Sequence, residues 1–251
     1  MIRLVVFDMD GTLVQTEQLK AQSYAKAARE LDDSIDEEEV TAAYGAVVGQ
    51  SREAVATTLL EQFGLEEPSR AHLEAFDADE PWEAFVGVRL RYYHAMLDDP
   101  ALLRAHAWPD AMALLRHAHD FFCRTALATT SKRDETDQVL AALGFTGAFD
   151  AIATADDVTS TKPDPEVYYL VTRTLDVPPA QALAIEDSPS GVRAAHTAGL
   201  ACIAVPTDFT RDAIHALADD GVIPPAHVVD DHARLSEVVR ATLAEAQAGA
   251  R

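Results

Sequence analysis

The sequence predicts an α/β protein: a parallel sheet with helices on both faces, interrupted early by an all-helical insertion. Three observations carry this. Short apolar runs bounded by turn residues alternate with helical patterns, as parallel strands joined by helices require. The first run, Val5-Val6-Phe7, drives directly into Asp8-Met9-Asp10-Gly11-Thr12. From about Gln15 to His106 the texture changes to charged helical patterns without a clear strand.

The candidate strands are residues 4–7, 125–129, 151–154, 182–185, 202–205 and the weaker 228–229. Helical segments separate most of them, including 135–143, 165–175 and 191–198, the last followed by Gly199 in position to end a helix. Ligands of such sheets sit at the carboxyl ends of the strands. The insertion reads as helices over 15–31, 36–48, 52–63 and 81–97, with Pro100 and Pro109 near its end. The expected organisation is therefore a core of 1–14 and 107–251 and a helical domain of 15–106.

Composition sets the partners. The chain has 251 residues, enough for a core plus a smaller domain, and a hydrophobic content of 48% marks it as globular. A net charge of -22 weighs against nucleic-acid or anionic-membrane binding. No apolar run approaches the roughly 20 residues of a membrane span. Met1-Ile2-Arg3-Leu4 enters a strand directly, so no signal peptide is expected. Cys123 and Cys202 are the only cysteines, which predicts reduced thiols and a cytoplasmic setting. The acidic, lysine-poor composition fits a protein working in high salt, and equally an acidic protein of a GC-rich genome. Only Lys20, Lys26, Lys132 and Lys162 supply lysine, so a lysine beside a motif carries weight.

Four loops at expected strand ends hold unusual residues. In the first, Asp8 and Asp10 should repel each other and resist burial. A Ca²⁺ loop would need acids at positions 1, 3 and 5 with glycine at 6, but Gly11 is the fourth residue. In the second, Thr129-Thr130-Ser131-Lys132, the hydroxyl run is first of all a helix N-cap, and the same geometry binds phosphate. In the third, Lys162-Pro163-Asp164-Pro165, Asp164 is the expected N-cap and Pro165 the first helical residue, which leaves Lys162 unexplained. In the fourth, Glu186 and Asp187 precede Ser188-Pro189-Ser190-Gly191, where a serine can serve as a cap.

Each loop alone has an ordinary explanation. Together, and in this order, they resemble the motifs of the haloacid dehalogenase superfamily, in its phosphatase and phosphomutase branch. The resemblance covers nearly the whole chain, and the helical insertion looks like that family's α-helical cap. It implies a Rossmann-like core and Mg²⁺-dependent phosphoryl transfer through an aspartyl-phosphate. By resemblance, Asp8 matches the nucleophile and a metal ligand. The Asp10 side chain matches the general acid/base, and its backbone carbonyl a metal ligand. Asp187 matches a metal ligand and Glu186 a direct or water-mediated one. Thr129, Thr130 and Lys162 match the groups that hold the transferring phosphoryl. Dehalogenases of the superfamily lack the second acid of the first motif, and phosphonatases replace it with a small residue. Asp10 therefore favours ester or phosphosugar chemistry.

Within the cap, Gly49-Gln50-Ser51-Arg52-Glu53 resembles the substrate loop, which makes Arg52 a candidate for the substrate's distal group. The alternative is an N-cap Ser51 followed by a solvated arginine. Lys20 shares a helical face with Tyr24, Ala27 and Leu31, and is a second candidate or a snorkelling lysine. In β-phosphoglucomutases a histidine matches Lys20 and a lysine matches Val48. Both departures favour a phosphatase of a small phosphorylated metabolite, of the sugar-phosphate or phosphoglycolate class, over a mutase. A non-catalytic binding protein on this fold is the remaining alternative. A monomer or weak dimer is expected.

Overall fold

The computed structural model describes residues 1–48, 51–118 and 123–248. The chain divides into two compact units, one of Met1–Gln15 with Leu103–Arg251, the other of Thr16–Leu102. After β1 (Leu4–Phe7) come α1 (Thr16–Leu31), α2 (Glu37–Gly45), α3 (Arg52–Phe63), α4 (Glu66–Arg70), α5 (Pro81–Leu97) and α6 (Pro100–Ala105). There follow α7 (Pro109–His117), β2 (Arg124–Ala128), α8 (Arg133–Leu143), β3 (Ala151–Ala153) and α9 (Glu166–Thr174). The chain continues through β4 (Ala182–Glu186), α10 (Pro189–Ala198), β5 (Ala201–Ala204), α11 (Arg211–Asp219) and α12 (Leu235–Ala248). Among the described residues, no helix is long and apolar enough to cross a membrane.

The first unit is a five-stranded parallel sheet in the order β3-β2-β1-β4-β5. β1 is central, and all four of its residues are buried, as a strand covered on both faces must be. Leu4 and Val6 point to one face with Ala126, Ala128, Ala182 and Ala184. There they join Val167, Tyr168 and Val171 of α9, Val192 and Ala195 of α10, and Ile214 and Leu217 of α11. Small alanines in β2 and β4 let these helices approach the sheet closely. Val5 and Phe7 point to the opposite face and are also buried. Register places Phe7 beside Leu127 of β2 and Ile185 of β4. The residues that follow each strand therefore emerge side by side at one edge.

The second unit is all-helical. α5 packs against α1, α3 and α4, and α1 packs against α2. Ser51 caps α3, its Oγ accepting from the Ala54 amide at 3.2 Å, and Gly64 ends that helix at φ 65°. Gly49 and Gln50 of the expected substrate loop lie outside the described residues.

Several local expectations change. The stretch 228–229 is not a strand: Pro225–His227 forms a 3-10 turn, and Val228 makes one isolated bridge to Ala204. β2 begins one residue early, where the Arg124 amide donates to the Arg3 carbonyl at 2.9 Å, and ends one residue early at Ala128. The helix expected over 36–48 is shorter, with Asp36 outside it as the N-cap and Gly45 as its last residue. Asp164 accepts from the Glu166 amide at 2.9 Å, as a cap does, but α9 starts at Glu166 and Pro165 is the residue before it. α10 starts earlier than expected, at Pro189, with Ser188 as its cap. Pro100 and Pro109 open α6 and α7, and the boundary between the two units, at Leu102 and Leu103, falls between them.

Leu4 is fully buried at the centre of the sheet. Leu4→Ala should cost about 2–5 kcal/mol, the usual range for such a cavity. Urea unfolding should show a lower midpoint, and an unchanged midpoint would contradict this packing.

Candidate active site

The loops after β1, β2 and β4 meet around one buried ammonium. Lys162 Nζ donates to Asp8 Oδ1 at 2.6 Å, to Glu186 Oε1 at 2.6 Å and to the Ala128 carbonyl at 2.7 Å. All three of its hydrogens are used. The side chains of Lys162, Asp8 and Glu186 are 2%, 8% and 0% exposed, so these contacts act with little solvent screening.

Asp8 is fixed by its amide, which bonds the Ile185 carbonyl at 3.0 Å as the sheet ladder ends. Gly11 then turns the chain with φ 87°. Its amide bonds the Val14 carbonyl at 2.7 Å, and the Leu13 and Val14 amides return to the Met9 carbonyl. Asp10 is carried to the other side of this turn. Its Oδ2 accepts from Ser131 Oγ at 2.6 Å and from Thr129 Oγ1 at 3.2 Å. Thr129 Oγ1 in turn accepts from the Ser131 amide at 3.1 Å. The two acids of the first loop thus stand in different settings, one on an ammonium and one on two hydroxyls.

This corrects the N-cap reading of Thr129-Thr130-Ser131. The residue before α8 is Lys132, with no side-chain cap, and Asp156 instead accepts the Arg133 amide at 2.8 Å. Thr129 and Ser131 are drawn to Asp10, whereas the Thr130 side chain is exposed.

Glu186 is the last residue of β4 and is fully buried. Besides Lys162, its Oε1 accepts from the Tyr168 hydroxyl, and its Oε2 from Ser188 Oγ at 3.4 Å. Lys162 Nζ also lies 5.3 Å from the centre of the Tyr168 ring. Burial beside Glu186 pushes the Tyr168 phenol well above its ordinary range, so it remains a donor.

Burial pushes the Asp8 carboxyl up to about 8; Lys162 opposes this, while Glu186 and Asp10 add to it. Burial pulls Lys162 down, but Asp8 and Glu186 outweigh it and hold the ammonium above its ordinary range. Asp8, Asp10, Glu186 and Asp187 therefore share one edge with a single ammonium, a surplus of negative charge that a cation would offset.

The donors fit a hard divalent cation. Asp8, Glu186 and Asp187 each offer a carboxylate oxygen, all within 4.8 Å of one another. Two glycines make the room. A Cβ on Gly11 would fall 2.1 Å from Asp187 Oδ2, and one on Gly191 would fall 2.0 Å from Glu186 Oε2.

Of the residues singled out in the sequence, Asp8, Asp10, Thr129, Lys162, Glu186 and Asp187 come together here. Lys20 and Arg52 belong to the helical unit. Lys20 does not simply reach for water: its Nζ pairs with Glu17 Oε1 at 2.6 Å. Arg52 is exposed in the first turn of α3. Two site residues escaped sequence reasoning. Ser131 was visible only as part of a hydroxyl run, and Tyr168 as an ordinary core residue of an amphipathic helix.

The chain is similar to known proteins over most of its length. The family profile described as haloacid dehalogenase-like hydrolase matches residues 2–199. Validoxylamine A 7'-phosphate phosphatase of Streptomyces hygroscopicus subsp. limoneus is 30% identical over 223 residues, 89% of this chain and 93% of its own. Protein CbbY of Cereibacter sphaeroides is 34% identical over 224 residues, covering 87% and 90% of the two chains. The crystal structure of β-phosphoglucomutase from Clostridium difficile matches with a TM-score of 0.68 at 23% identity, covering 99% of this chain and 100% of that one, a likeness of fold.

The raised Asp8 carboxyl sets a pH dependence. Between its ordinary value of 3.8 and about 8, the folded chain holds a proton that the unfolded chain has released. Cation-free stability should therefore fall as pH rises through this window. A divalent cation must displace that proton, so its affinity should rise by up to about tenfold per pH unit below about pH 8, then level off. Calorimetry in buffers of different ionisation heat should show proton release. A flat affinity with no release would contradict the assignment.

Proposed function

The chain belongs to the haloacid dehalogenase-like hydrolases, in their phosphatase and phosphomutase branch, and on that footing we propose that it is a Mg²⁺-dependent phosphatase. Its substrate is a small phosphorylated metabolite of the sugar-phosphate or phosphoglycolate class, hydrolysed through an aspartyl-phosphate. The observation that carries this reading is the split setting of the two acids: Asp8 ion-paired with Lys162, Asp10 held by hydroxyls of Ser131 and Thr129.

Asp8 attacks phosphorus and the bond to the ester oxygen breaks. Asp10 donates a proton to the leaving oxygen. It then takes a proton from the water that attacks the same phosphorus, and phosphate leaves with Asp8 regenerated. Thr129 and Lys162 hold the oxygens of the transferring group, where charge neutralisation supplies most of the rate. Asp8, Asp187 and Glu186, with the Asp10 backbone carbonyl, would hold Mg²⁺. Bound there, it would offset the negative charge that Asp8 and the phosphoryl group bring together. Lys20 and Arg52 are candidates for recognising the rest of the substrate. The name of the validoxylamine A 7'-phosphate phosphatase supports a phosphorylated small-molecule substrate.

A phosphate-release screen over phosphorylated sugars and phosphoglycolate, with and without Mg²⁺, tests the reading. Asp8→Asn should lower turnover by about 10³-fold or more, the scale expected when a covalent nucleophile is lost. Its circular dichroism should match the parent. A variant with near-normal rate would overturn the mechanism. Turnover only with a bisphosphate activator would point to a phosphomutase instead.

A further inference from the structure

The ring and the hydroxyl of Tyr168 serve different ends. The ring is fully buried in the hydrophobic core, in one cluster with Val167, Val171 and Val192. A phenylalanine would fill that place without a polar atom to satisfy. The hydroxyl is accounted for by one contact: it donates to Glu186 Oε1, the same oxygen that accepts from Lys162 Nζ at 2.6 Å. Glu186 is itself fully buried. One oxygen in the interior thus takes two donors, although its neighbour Asp8 has a single one.

That inequality bears on Lys162. Its three hydrogens go to Asp8 Oδ1, Glu186 Oε1 and the Ala128 carbonyl. To hold an oxygen of an arriving phosphate, the ammonium must release one of them. A buried acceptor that loses its donor is costly, most of all a charged one. Among the described residues, Lys162 is the only side-chain donor to Asp8 and to the Ala128 carbonyl. Glu186 differs. Without Lys162, its Oε1 keeps the Tyr168 hydroxyl and its Oε2 keeps Ser188 Oγ at 3.4 Å. The contact to Glu186 is the one that can be released at least cost.

We propose that Tyr168 is a positioning residue for phosphate: its hydroxyl keeps Glu186 satisfied while Lys162 turns one N–H from Glu186 to a phosphate oxygen. Tyr168 acts through Glu186 and Lys162 and does not itself touch the ligand. The choice of phosphate as the ligand rests on the phosphatase reading above; the arrangement of donors does not.

The chain has four lysines, so ¹⁵N-lysine labelling gives at most four side-chain ammonium resonances. The one lost in Lys162→Arg is that of Lys162. Inorganic phosphate is titrated into the full chain with Mg²⁺ present, and the movement of this resonance is followed by NMR. Tyr168→Phe keeps the ring and removes the hydroxyl alone, and circular dichroism checks its fold. Leu4→Ala loosens the same sheet without touching Glu186 and controls for destabilisation. The expected result is saturable movement in the parent, with a midpoint at least about tenfold higher in Tyr168→Phe, the scale of a lost hydrogen bond to a charged group. Leu4→Ala should keep the parent midpoint. An unchanged midpoint in Tyr168→Phe, with or without a lower melting temperature, makes the hydroxyl purely structural and overturns the proposal. A midpoint raised equally in Leu4→Ala also overturns it, because affinity then follows stability alone. No movement in the parent overturns it together with the phosphate-holding role of Lys162. Failure of the phosphatase reading shows separately, as no Mg²⁺-dependent phosphate release from any phosphorylated substrate.

Discussion

A lysine ammonium withdrawn from water between Asp8 and Glu186 is the contact around which the carboxyl edge of the sheet is arranged. Burying three ionisable groups together is costly, and attraction repays the cost only when geometry is good and the remaining donors are satisfied. Lys162 meets that condition: its third hydrogen goes to the Ala128 carbonyl, and Tyr168 and Ser188 donate to Glu186. Removing one member of such a pair leaves an uncompensated charge, a loss of about 3–5 kcal/mol in comparable cases. The same residues thus bear on stability and on the proposed chemistry.

The surrounding backbone follows from that cluster. Parallel register brings Phe7, Leu127 and Ile185 level, so the next residues of three strands converge. Gly11 both adopts a positive φ and leaves room for Asp187. Gly191 leaves room for Glu186 in the first turn of α10, where Ser188 Oγ caps the Gly191 amide at 3.1 Å. Even with these contacts, one ammonium does not balance Asp8, Asp10, Glu186 and Asp187. The charge left over is what makes a divalent cation a fitting companion, and it is why Asp8 binds a proton so readily in its absence.

Most of this edge was legible in the sequence because acids at strand ends are out of place there. Asp8, Asp10, Glu186 and Asp187 interrupt or end apolar strands, and Lys162 stood out in a chain with few lysines. Tyr168 was not legible: a tyrosine on the buried face of α9 looks like any core residue, and its hydroxyl matters only because Glu186 lies against it. The hydroxyl run Thr129-Thr130-Ser131 admits both a cap and a phosphate-binding reading, and the sequence could not show that Asp10, a partner far away in the chain, engages Thr129 and Ser131. Arg124 hid the true start of β2, since an exposed arginine does not announce a strand.

The central claim is that Asp8 itself receives the phosphoryl group. Rapid acid quench during turnover, followed by peptide mass spectrometry, tests this most directly. The account predicts an acid-stable but base-labile phosphoryl group on the peptide that contains Asp8 and Asp10, localised to Asp8. A phosphoryl group on any other residue, or rapid turnover with no labelled peptide at any quench time, would contradict it.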